Sequence, residues 1–118
     1  MRDRRAAWRA GRWAERLAAL LLRVKGYRIL ARGLRSRVGE LDIVARRGGV
    51  LAAVEVKTRA REVEALLAVT PRQRRRIARA AEAFRSRQGD GARLTIRFDV
   101  VLVLPWRRPR HIMDAWRP

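Results

Sequence analysis

Asp42, Glu55 and Lys57 follow the order Asp-x12-Glu-x-Lys within the segment GELDIVARRGGVLAAVEVK, residues 39–57. Two carboxylates held side by side are the donor set of a hard divalent cation such as Mg²⁺, which binds through one or two carboxylates and keeps its waters. A lysine next to them is a compact charge that can orient a water or offset charge on a phosphoryl oxygen. The chain around them makes the lysine informative. Of 30 basic residues only two, Lys25 and Lys57, are lysine, and the formal net charge is +19. Arginine is a wide planar fork that holds its proton, so a lysine in such a chain marks a place where compactness matters.

These side chains need two strands to bring them together. Residues 40–45 alternate, Arg47-Gly48-Gly49 reads as a turn, and residues 50–57 read as the return strand. If Gly48-Gly49 is a two-residue turn, Arg47 pairs with Val50. Asp42 then lies opposite Glu55 and Glu40 opposite Lys57, all four on one face. Directly opposed residues have Cβ atoms about 4.5–5.5 Å apart, where like charges destabilise a sheet and call for a compensating cation. The competing reading is an exposed Glu40–Lys57 cross-strand salt bridge, worth about 0.2–1 kcal/mol.

Two further polar residues fall on apolar arcs. Gln73 shares an arc with Ile77, Ala80, Ala81 and Phe84, which turns it toward the sheet unless it frays into solvent at the helix start. Glu15 lies among Gly11, Ala18, Ala19 and Leu22, and needs a partner at the acidic face or in Arg12 three positions earlier.

Residues 4–25 read as a long, mostly buried helix with Arg5, Arg9, Arg12, Arg16 and Arg23 along one solvated edge, Trp13 in the core, and Gly26 as its C-cap. Residues 27–31 form a short strand candidate and 32–38 a basic loop. Residues 58–69 read as a loop or a helix turn. Thr70-Pro71 opens a second helix that runs to Gly89. Residues 94–104 are the strongest strand, ended by Pro105, and a short edge strand follows around residues 111–113. The order α-β-β-β-α-β predicts an α/β fold, a mixed sheet flanked by helices. A helical crossover joins the third and fourth strands.

A chain of 118 residues with 48% hydrophobic content is one folded domain, 1–118, and not a disordered basic tail. Its positive field suits a polyanion, of which nucleic acid is the commonest. Cysteine is absent, which excludes disulfides and thiolate metal sites, and His111 alone cannot form a multi-histidine site. The apolar run 17–22 is too short to span a membrane, so the default expectation is a cytoplasmic protein with no membrane partner. The four tryptophans (8, 13, 106, 116) lie near the termini and give no clear stacking platform.

The layout Asp42-x12-Glu55-x-Lys57, on two strands after a helix bearing Glu15, resembles the PD-(D/E)xK nuclease superfamily. The stretches GRWAERLAALLLRVKGYRILAR, GELDIVARRGGVLAAVEVKTR, RQRRRIARAA, RFDVVLV and HIMDAW are similar, across nearly the whole chain, to the YraN-type family of small bacterial proteins. The resemblance implies a restriction-endonuclease-like core akin to archaeal Holliday-junction resolvases. It implies Asp42 and Glu55 as ligands of Mg²⁺ or Mn²⁺ with the Val56 carbonyl, and Lys57 as the catalytic cation. Glu15 matches the first-helix glutamate of resolvase-like members, and Glu40 and Gln73 fall at family motif positions. Leu41 stands where the superfamily has proline, and Gly33 where a polar residue is common.

The expected activity is metal-dependent hydrolysis of phosphodiesters in DNA, more readily than RNA, with branched DNA a candidate substrate. Arg32, Arg35 and Arg37 of the basic loop, with Arg59, Arg72, Arg75 and Arg76, would grip the backbone. A symmetric substrate would suit a homodimer. The rival readings are a nucleic-acid-binding module on the same fold without turnover, and a basic scaffold or ribosome-associated protein.

Overall fold

A computed structural model of the protein describes residues 4–118, with side-chain surroundings given from Gly11 onward. The elements run α1 (Arg4–Val24), β1 (Arg28–Arg35), β2 (Glu40–Arg47), β3 (Val50–Lys57), α2 (Glu62–Ala68), α3 (Pro71–Ser86), a one-turn 3-10 helix (Gly91–Arg93), β4 (Thr95–Leu102) and β5 (Arg110–Ile112). The strands form one sheet in the order β1-β2-β3-β4-β5. All neighbours are antiparallel except β3 and β4, which are parallel and joined by α2 and α3. This is the expected mixed α/β sheet with its helical crossover. Within residues 58–69, Glu62–Ala68 form α2.

Both faces of the sheet are covered, which is why the central strands read as nearly continuous apolar runs. On one face Ala14, Ala18, Ala19 and Leu22 of α1 pack on Ile43, Ala45, Ala52, Val54, Val101 and Val103. Alanines on both sides let α1 sit close to the strands. On the other face Ala65 of α2, its C-cap Val69, and Ile77, Ala80 and Ala81 of α3 pack on Leu41, Val44, Leu51, Ala53, Val100 and Leu102.

Local signals set the helix ends. Gly26 has φ +92°, and the Tyr27 and Gly26 amides donate to the Leu22 and Arg23 carbonyls, the Schellman pattern that closes α1. At α3, the Thr70 hydroxyl accepts from the Gln73 amide while Gln73 Oε1 accepts from the Thr70 amide, a full capping box.

Several expectations change. Helix α1 buries one face only: Trp13 is 45% exposed, and Leu20 and Val24 face solvent, because a single sheet covers one side of a helix. The side chains of Arg5 and Arg9 lie outside the described residues. β1 extends to Arg35, so Arg32 and Arg35 stand on a strand, held by the ladder pairs Arg32↔Ile43, Leu34↔Leu41 and Arg35↔Glu40. The loop shrinks to residues 36–39, closed by the Ser36 amide donating to the Gly39 carbonyl. Helix α3 stops at Ser86 and β4 at Leu102, both short of the predicted ends.

One buried polar cluster ties the sheet to the end of α1. Asp99 on β4 is fully buried and accepts from Arg97 at 2.8 and 2.7 Å, from His111 at 2.7 Å and from the Asp114 amide at 3.0 Å. Arg97 also donates to the Tyr27 hydroxyl, and Lys25 Nζ lies 2.5 Å from His111 Nδ1. An ammonium can only donate, so Nδ1 accepts and the Nε2–H of His111 donates to Asp99. Burial alone would raise the Asp99 pKa, but the bonds from Arg97 and His111 prevail and hold it at about 2. The first of the two lysines therefore closes a structural network.

Candidate active site

The hairpin register is the one a two-glycine turn dictates, with Arg47↔Val50 through Ile43↔Val54 in pairs. Gly48 takes φ +57°, the left-handed conformation that turn needs. The ladder then stops one rung short of Asp42 and Glu55. Asp42 Oδ2 instead accepts from the Val56 amide at 2.9 Å, so a side chain takes the place of a backbone acceptor. Strict alternation also breaks here: Leu41 packs with Val44 on the α3 face although it shares parity with Ile43 on the α1 face. On the neighbouring strand Gly33, between the pairs Arg32↔Ile43 and Leu34↔Leu41, has φ +58°. A side chain at Gly33 would be strained and would stand 3.8 Å from Glu15 Oε1. The departure from a polar residue at this position thus has a backbone cause.

Where β2 and β3 part, a cleft of about 310 Å³ opens, lined by Glu40, Asp42, Glu55, Arg72, Gln73, Arg76 and Ile77. A second hollow of about 680 Å³ on the α1 side is lined by Arg12, Glu15, Arg16, Arg32, Arg35, Val56 and Thr58 among others. Asp42 lines both. It is therefore shared by the two hollows, the first carrying three acids with Arg72 and Arg76 and the second Arg12, Arg16, Arg32 and Arg35.

Electrostatics single out Glu55. Burial, then the neighbouring Asp42 charge, push its carboxyl up to about 9, against the pull of Lys57. Glu15 is raised as well, first by burial, then tempered by its ion pair with Arg32 at 3.4 Å, and raised again by Asp42. Two carboxylates that cannot both hold charge comfortably, with the Lys57 charge acting on one of them, fit a hard cation that takes few protein ligands. Among the described residues no group of three or more carboxylates or imidazoles converges as a metal cage. Any ion here would be held by the pair and by water.

The predicted site residues do not all assemble as expected. Glu40, Asp42 and Glu55 share one cleft. Glu40 pairs in register with Arg35 on β1, and no Glu40–Lys57 ion pair is among those of the described residues. The competing salt-bridge reading therefore fails. Lys57 ends β3, where its charge acts on Glu55 and its carbonyl accepts from the Val103 amide. Gln73 lines the cleft but neither faces the sheet core nor frays, since the capping box holds it. Glu15 takes Arg32 as its ion-pair partner.

Arg72 and Arg76 line one hollow, and Arg32 and Arg35 the other. Arg37, Arg59 and Arg75 are exposed and line neither. Arg12, Arg16 and Thr58 are additional lining residues that the sequence reading did not assign. The spacing of Arg12 and Arg16 by four on one helical edge is the signal that could have found them. Gly39 brings the two sides together: a Cβ there would come within 2.6 Å of the Arg76 carbonyl, so glycine lets the β1–β2 turn seat against α3.

Residues 14–103 match the model of the uncharacterised protein family UPF0102. A UPF0102 protein of Paramagnetospirillum magneticum is 57% identical over 98% of this chain and 93% of its own length. One from Parvibaculum lavamentivorans is 55% identical over 96% of this chain and 85% of its own. Another, from Sinorhizobium medicae, is 52% identical over 93% and 90%. The match takes in β1 to β4 with the whole carboxylate pair, and the chain belongs to the UPF0102 family.

Proposed function

We propose that the protein is a divalent-metal-dependent nuclease that hydrolyses phosphodiesters in DNA. The observation that carries this reading is the Asp42–Glu55 pair at the opening of the β2–β3 ladder, with Glu55 raised well above the carboxylate range and arginines lining the hollows on either side of Asp42. A protein gains nothing in stability from opposed, half-buried acids, and a site that exchanges a proton for a cation explains them.

Asp42, Glu55 and the Val56 carbonyl would hold Mg²⁺ or Mn²⁺. When bound, such an ion supplies Lewis-acid polarisation of a phosphoryl oxygen. Lys57, a compact ammonium at the end of β3, offsets charge that develops on the phosphoryl oxygens. Arg72 and Arg76 on one side and Arg35 on the other take the flanking phosphates, so the backbone runs across Asp42. The Glu15–Arg32 pair holds Arg32 in place beside that path.

The test is cleavage of fluorescent linear, flapped and four-way DNA with Mn²⁺, comparing wild type with Asp42→Ala and Lys57→Ala. Each substitution is expected to lower the rate by about 10²-fold or more. Equal activity in all three proteins would sink the assignment. Tight, EDTA-insensitive binding with no cleavage by wild type would leave a binding module instead.

A further inference from the structure

The β4–β5 connection breaks a local rule at Trp106. The Arg107 amide bonds back to the Leu104 carbonyl, which closes a four-residue turn with Pro105 second and Trp106 third. Trp106 has φ +67°, a left-handed conformation at the position where such a Pro-led turn ordinarily carries glycine. The indole gains no packing in return, being fully exposed at 102%. A large apolar side chain that is both strained and unpacked is unexpected on folding grounds, and such outliers concentrate at functional sites.

The turn lies at one end of the sheet. β3 and β4 are parallel, so their carboxyl ends lie together: Lys57 pairs with Leu102, and the Val103 amide donates to the Lys57 carbonyl. Trp106 is four residues beyond Leu102, within about 14 Å of chain reach. The indole thus projects from the end of the sheet that carries Glu55 and Lys57. It sits in the sequence Pro105-Trp106-Arg107-Arg108-Pro109-Arg110, with two prolines stiffening the turn and arginines on its flank. Arg110 at its base is pinned to Glu62 of α2 at 3.1 Å.

We infer that Trp106 is a specificity-determining residue that stacks on an unpaired base of DNA next to the scissile phosphate. The protein would thereby favour single-stranded, flapped or branched DNA over continuous duplex. The inference rests on the nuclease reading above. In a duplex every base is stacked on its neighbours and offers no free face; an unpaired base does, and arginines beside the ring hold its phosphates.

The test uses the full chain in EDTA, so that nothing is cleaved, with fluorescein-labelled oligothymidine and a blunt duplex as probes. Trp106→Ala is expected to weaken oligothymidine binding about 10-fold, within the range for loss of one stacked base, and to leave duplex binding within about twofold. Trp106→Phe should keep most of the affinity. Oligothymidine should quench tryptophan fluorescence in wild type more than in Trp106→Phe. Trp106→Gly should lose the same binding while melting at or above the wild-type temperature, because glycine relieves the turn. Equal losses on both probes, no loss on either, or a Trp106→Gly protein that melts well below wild type would each overturn the inference. Wild type that binds neither probe overturns the nuclease reading along with it. Tight wild-type binding untouched by Trp106→Ala overturns the inference alone.

Discussion

Glu55 shows how one residue can be wrong for the fold and right for a site. Its raised pKa means that the folded protein prefers the protonated acid, first because of burial and then because of Asp42. With an unfolded value near 4.3, that preference is fully present below about pH 4 and is lost as pH rises toward 9. In EDTA the wild type should therefore lose stability through neutral and mildly alkaline pH. Glu55→Gln removes the titration and keeps the shape. We expect it to melt roughly 4 °C or more above wild type at pH 8 in EDTA, equivalent to about 1 kcal/mol. In a calorimetric titration it should lose most Mn²⁺ affinity. A variant that melts lower, or binds Mn²⁺ as well as wild type, would contradict the placement of Glu55.

At the scale of elements, Asp99 links β4, β5 and the α1–β1 corner through Arg97, His111, Tyr27 and Lys25. Its folded pKa of about 2 lies below the unfolded value near 3.9, so its contribution is present above about pH 4 and lost as pH falls toward 2. The magnitude is on the order of 2–3 kcal/mol. Denaturant titrations from pH 6 to about 2 should show this loss in wild type. Asp99→Asn should flatten it and should also cost about 3 kcal/mol at pH 7, because Arg97 and the His111 N–H lose their charged acceptor. Retention of the full acid limb in Asp99→Asn would assign that limb to other carboxylates. Little of this coupling is readable along the chain, since Asp99 lies in a strongly apolar run and, apart from Arg97 on its own strand, the network draws on the α1–β1 corner and on β5 with the residues after it.

For the whole molecule, a formal charge of +19 makes any DNA affinity steeply salt-dependent. The arrangement of the two hollows refines this. Glutamine at Arg72 and Arg76 together should lower the slope of log K against log salt by about 2, as should glutamine at Arg12 and Arg16 if the backbone passes through both hollows. An effect from only one pair would confine the path to one side of Asp42. Among the described residues no helix is long and apolar enough to cross a membrane.

Much of this was already written in the chain. Gly48-Gly49 determined the hairpin register and hence that Asp42 and Glu55 would meet, because a two-residue turn leaves one pairing. Thr70-Pro71 and Gly26 placed helix ends within a few residues, because caps are local chemistry. Tertiary structure decided what local patterns cannot carry. Whether Trp13 is buried depends on how many layers cover α1, and only one does. Arg32 and Arg35 became strand residues because β2 was there to pair with them, which no stretch of 32–38 encodes by itself. The opening at Asp42 lies where the β2–β3 ladder stops beside the left-handed Gly33 of β1, and the nearness of the Trp106 turn to Lys57 arises from a parallel pairing across a helical crossover. The residue types that could do chemistry are local facts, but the surroundings that charge, bury and expose them come from segments far away in the chain.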